Sequence, residues 1–135
     1  MPMTMNADRL SMIEMMLSQG WGVAKDVVEA LSEDARKELL RGMTCMFLEE
    51  TDPDSARGIA LAVCIAQLVK TLPHDKVWFD AMVKGEVSSS VDLLFERVPG
   101  FWALNAACAA GGRQAIIMHR YVSLAVRPIL WPDNA

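Results

Sequence analysis

Apolar residues recur along this chain at the three- and four-residue spacing of a helix face. No stretch shows the two-residue alternation of β-branched and polar positions that a half-buried strand needs. The pattern predicts an all-α fold. A first helix is expected over residues 7–19, with Asn6 as N-cap, Gly20 as the stop, and Leu10, Ile13, Met16 and Leu17 on one face. A short helix over residues 23–31 follows, with Trp21 before it between two glycines. Ser32 then opens a longer helix. Its Glu33 and Asp34 complement the positive end of the helix dipole, and Leu39, Leu40, Met43, Met46 and Phe47 fall on its buried side. Asp52-Pro53 reads as a cap followed by proline at the first helical position, which starts a fourth helix reaching about Thr71.

Leu72-Pro73-His74 breaks that helix, and a fifth is expected over residues 75–84, up to Gly85. A serine among Ser88, Ser89 and Ser90 caps a sixth, stopped by Pro99-Gly100. A seventh spans residues 101–110 to Gly111-Gly112, and an eighth spans 113–126. Two of these helices, about 53–71 and 113–126, are apolar nearly all round, so they are expected at the centre of a compact bundle of six to eight helices. A small HEAT-like stack is the minor alternative, since no fixed-period repeat is present. No linker divides residues 1–135, which read as one domain ending in a short extended tail over 128–135, where Pro128 and Pro132 restrict the backbone.

Composition adds boundaries. At 135 residues and 53% hydrophobic the chain can bury a core without a disulfide or metal staple. The most apolar run, 59–69, ends at Lys70 and is short of the ~20 residues of a membrane helix, so no membrane partner is expected. Cys45, Cys64 and Cys108 are odd in number and widely separated, which suits reduced thiols, and the N-terminus does not read as a secretory signal. A cytoplasmic protein is expected. The net charge of -4 divides unevenly, because residues 1–54 carry 5 basic and 11 acidic groups while 55–135 carry 8 and 6. Direct nucleic-acid binding is therefore disfavoured, since such affinity comes mainly from Lys and Arg neutralising phosphates.

Candidate chemistry is thin. His74 sits in a turn beside Asp75, which reads better as a helix cap, and His119 sits one turn before Ser123. The 3 Cys and 2 His show no close-paired ligand spacing, so no metal is expected. Met12, Met15 and Met16 at helical spacing fit core positions better than a Cu(I) site. No glycine-rich phosphate loop or nucleophile elbow is present, so no catalytic residue and no cofactor are expected.

Three polar or amphipathic features remain as candidate partner-binding residues. Arg113, Arg120 and Arg127 recur every seven residues and so lie within about 40° of one another on the eighth helix. This seam is either a solvated edge, a partner of the acidic half, or an anion or acidic-protein site. Glu49, Glu50, Asp52 and Asp54 form an acidic corner between two helices. Trp21 and Trp131 fall on segments expected to be irregular, as plugs over the bundle or as interface anchors, and the tail could make a homodimer. Trp78 and Trp102 read as core. The expected function is a non-enzymatic protein-binding domain, such as an inhibitor, immunity-type, adaptor or chaperone protein. The alternative is a regulatory domain binding a small molecule or anion in a pocket beside the arginine seam.

Overall fold

The computed structural model describes residues 7–134, which run through α1 (Ala7–Gln19), α2 (Trp21–Glu29), α3 (Glu33–Leu48), α4 (Ala56–Lys70), α5 (Lys76–Val83), α6 (Val91–Arg97), α7 (Pro99–Ala110) and α8 (Gly112–Leu130). A 3-10 turn, Pro132–Asn134, closes the described chain. The architecture is all-α, with no strand among the described residues. The expected cap Asn6, the run Met1, Met3 and Met5, and Ala135 lie outside them.

Helix starts follow local chemistry where a short polar side chain is present. The hydroxyls of Ser32, Ser55 and Ser90 accept hydrogen bonds from the backbone N–H groups of Ala35, Gly58 and Leu93, and the Asp75 carboxylate accepts from Trp78. Each satisfies a donor that the first helical turn leaves free.

Four boundaries differ from the sequence expectation. Trp21 is not on an irregular segment: the chain turns at Gly20 and Trp21 is already the first residue of α2. Pro53 does not open α4, because the Ser55 N–H bonds back to the Asp52 carbonyl at 3.0 Å in a tight turn and Ser55 becomes the cap. That turn lies directly over the helix, so a Cβ on Gly58 would meet the Pro53 carbonyl oxygen at 2.3 Å. Pro99-Gly100 starts α7 instead of merely ending α6, as proline at the first helical position gives up only an N–H that has no intrahelical partner. The tail is not extended from residue 128. Helix α8 continues through Pro128 to Leu130, which is fully buried, and the Trp131 N–H bonds to the Arg127 carbonyl at 2.8 Å. The carbonyl that Pro128 leaves without a helical donor belongs to Leu124, an exposed residue that water can reach.

Helix α4 is the central element, packed against α1, α3, α7 and α8, with Leu61, Ile65, Leu68 and Val69 fully buried. Each such side chain contributes about 1.5–3 kcal/mol by leaving water. Helix α8 lies between α4 and α7 and buries Ile117, Met118, Val122, Val126 and Leu130. Unlike α4 it is not enclosed. Ile116, His119, Arg120, Leu124 and Arg127 remain exposed along one edge.

Candidate partner-binding surface

The acidic corner and the start of the arginine seam meet each other. Arg113 pairs with Asp54 and, at 3.5 Å, with Asp52, while the Gln114 side-chain amide donates to the Glu50 carbonyl at 2.8 Å. The Glu50 carboxylate lies 3.9 Å from Arg57, whose guanidinium also grips Glu14 at 3.0 Å. That last hydrogen bond holds the Glu14 carboxyl below its ordinary value of 4.5. These contacts tie the N-terminal end of α8 to the α3–α4 connection and to α1. The exposed pairs of Arg113 with Asp52 and Asp54 and of Arg57 with Glu14 contribute about 0–1 kcal/mol each. Glu49 is exposed at the end of α3.

Trp21 is half-buried against the core and lines a hollow with Lys25, Glu29, Arg36, Gln67 and Lys70. Arg36 donates to the carbonyl of Thr71, which ends α4, so this basic group stands at a negative helix terminus. This hollow has none of the three seam arginines among its lining residues. Trp78 and Trp102, expected in the core, are half-buried and packed against it.

A different surface forms between α7 and α8. Phe101, Leu104, Val126 and Trp131 line a groove of about 400 Å³, together with Asn105, Cys108, His119, Ser123 and Arg127. Trp131 sits at its end, packed edge-on against Phe79 with ring centroids 5.2 Å apart, yet 38% exposed. Outside the groove, on the neighbouring solvent edge of α8, Ile116 is 59% and Leu124 66% exposed. At 100° per residue Ile116, Arg127, Arg120 and Leu124 fall within an arc of about 80°. The seam is thus a stripe in which arginines alternate with large apolar side chains. Arg120 and Arg127 make no ion pair among the described residues. Between Val98 and Pro132 the sequence contains no Asp or Glu at all. Of the nine candidate residues, Arg127 and Trp131 line this groove with Arg120 on the adjoining stripe, Glu50, Asp52, Asp54 and Arg113 come together at the corner, and Glu49 and Trp21 stand apart.

His119 and Cys108 share the groove without a hydrogen bond between them among the described residues, and Ser123 donates to the His119 backbone carbonyl, not to its ring. No group of three His, Cys, Asp or Glu side chains among the described residues is placed to hold a metal ion. Burial pushes the thiols of Cys45 and Cys64 above their ordinary value, while Cys108 is exposed.

His74 is a structural residue that sequence reasoning undervalued. Its Nδ1 lies 3.0 Å from the Leu72 carbonyl, and its Nε2 accepts the backbone N–H of Gly100 at 3.0 Å. Those partners fix a neutral ring protonated on Nδ1, which serves as the missing cap of α7. Burial lowers its pKa below the ordinary 6.5, and the nearby Lys37 ammonium lowers it further against the Leu72 hydrogen bond. Only the chain reversal that brings residue 74 to residue 100 reveals this.

No helix among the described residues is long and apolar enough to cross a membrane. In comparisons with known proteins, no family model, no curated protein and no solved structure matches this chain.

Proposed function

We propose that the chain is a non-enzymatic protein-binding domain that acts by occupying a partner protein's surface, in the manner of an inhibitor, immunity-type protein, adaptor or chaperone. The observation that carries this reading is the open side of α8, where an apolar groove against α7 ends in a partly exposed Trp131 and the neighbouring edge exposes Ile116 and Leu124 between arginines. Isolated exposed apolar residues such as Val77 need no explanation, but large apolar side chains interleaved with arginine along one helix edge have the composition of an interface. Burying Leu124 and Trp131 on a partner would supply the affinity, and Arg120 and Arg127 would set orientation. A photo-crosslinker placed at Leu124 and, separately, at Ile116 in the native host tests this, with the exposed Lys84 at the end of α5 as control. The same protein joined from both face positions and not from Lys84 supports the reading. Equal, diffuse labelling from all three positions defeats it.

A second reading, a small-molecule or anion-binding regulatory domain, rests on the groove's volume of about 400 Å³ with Arg127 on its wall. That volume is within the range of small-ligand sites, which run ~300–1,000 Å³. Thermal-shift screening with anionic metabolites tests it, and a shift that survives Arg127→Glu would place the ligand elsewhere.

A further inference from the structure

We infer that the α7–α8 face receives an amphipathic helix of a partner protein that carries carboxylates beside its apolar stripe; the inference rests on the protein-binding reading above. Shape is the first argument. Two neighbouring helices with a groove between them present the ridges on which a third helix lies, and the open edge of α8 from Ile116 to Trp131 rises about 22 Å, roughly four turns. A partner helix of about 15 residues spans it with anchors at i, i+3, i+4 and i+7.

Charge is the second argument. Helix α7 bears no charged residue, no carboxylate among the described residues lines the groove, and the only formal charges between Val98 and Pro132 are Arg113, Arg120 and Arg127. Arg113 is already taken by Asp52 and Asp54. Arg120 and Arg127 are left among apolar neighbours, and covering them with an apolar or basic surface would desolvate two cations without compensation. A carboxylate-bearing helix compensates them. A second copy docked through the same face would bring these arginines no acid from Val98 to Pro132, a stretch that contains none. A nucleic-acid backbone would pair the arginines but leave Ile116, Leu124 and the groove uncovered.

Cys108 supplies the readout, because it lines the groove and is exposed while Cys45 and Cys64 are more buried. Its alkylation rate by N-ethylmaleimide is measured alone and with two helical peptides of about 15 residues that share one leucine stripe, one flanked by Glu and the other by Lys. The Glu peptide is expected to protect Cys108 and to bind at least about tenfold more tightly than the Lys peptide. Arg120→Gln and Arg127→Gln are each expected to weaken it about two- to fivefold, more at low salt. The double reversal Arg120→Glu with Arg127→Glu is expected to invert the preference; both positions are exposed, and circular dichroism confirms that the variants fold.

Equal protection by both peptides overturns the acidic assignment while leaving a protein-binding face. No protection up to about 1 mM of either peptide overturns the inference, and it leaves the protein-binding reading standing if the Leu124 crosslinker still captures its partner. Protection by decanoate but not by the Glu peptide overturns it in favour of a small anionic amphiphile. Protection that grows with the protein's own concentration overturns it in favour of a second copy.

Discussion

Replacing His74 with alanine removes the acceptor for the Gly100 N–H, a buried donor in the first turn of α7 that no other side chain caps. An amide left unsatisfied in the interior costs about 1–3 kcal/mol, and the lost imidazole packing brings the expected destabilisation to about 2–3 kcal/mol. Gln at the same position keeps an acceptor near the place of Nε2 and should cost about 1 kcal/mol or less. The two variants share a second expectation. Because the folded state holds His74 below its ordinary pKa of 6.5, the unfolded chain binds more protons as pH falls through that value. The contribution is therefore complete above pH 6.5 and declines as pH drops below it toward the folded-state pKa, by at most about 1.4 kcal/mol per pH unit for one proton. Urea unfolding at about pH 7.5 and about pH 5.5, with midpoint and slope fitted separately, measures both effects. Wild type should lose more stability across that interval than either variant. An alanine variant that costs less than about 0.5 kcal/mol, or keeps the wild-type pH dependence, refutes the assignment of His74 as a neutral cap.

Further expectations follow from close packing, from unpaired polarity and from surface charge. Gly58→Ala drives a Cβ to 2.3 Å from the Pro53 carbonyl, backbone against backbone, and should cost more than about 2 kcal/mol by thermal unfolding. Gly100→Ala meets the Val69 Cγ1 at 2.6 Å and His74 Nε2 at 2.8 Å; its cost, about 1–3 kcal/mol, should come with a weaker pH dependence as the ring is displaced. Thr44 is fully buried with a hydroxyl that has no hydrogen-bond partner among the described residues, so Thr44→Val should leave stability unchanged or raise it by up to about 1 kcal/mol. A loss above that in a denaturant titration contradicts the unpaired hydroxyl. Arg113→Ala breaks the exposed pairs with Asp52 and Asp54 and should cost no more than about 1 kcal/mol, an effect that high salt removes.

The helix census was legible wherever an element carries its own punctuation. Ser32 before α3 and Ser90 before α6 each place a hydroxyl under the first turn, and the apolar spacing within α3 names the face it buries, whereas on α1 Ile13 and Met16 are buried but Leu10, expected on the same face, is exposed. Boundaries drifted where a residue has two local uses. Pro53 and Pro99 are equally suited to a turn and to a helix start, and packing chose a turn at one and a helix at the other. Pro128 looked like a stop, but the burial of Leu130 and the support of Trp131 on Phe79 hold the helix through it.

The candidate surface divided in the same way. That Arg113, Arg120 and Arg127 share a helix face depends only on a seven-residue spacing, and that spacing was visible. Which of them are neutralised depends on where the α3–α4 connection lies, and it lies against Arg113 alone. Helix α8 shows the limit most plainly, for its hydropathy marks it as a helix that must be covered but not by what. Periodicity is a property of one segment, so composition and spacing suffice to make the helices and their apolar faces. A groove, a cap reached across 26 residues from Gly100 to His74, and an uncovered stripe beside Arg120 and Arg127 arise between segments, and so they depend on how the helices pack.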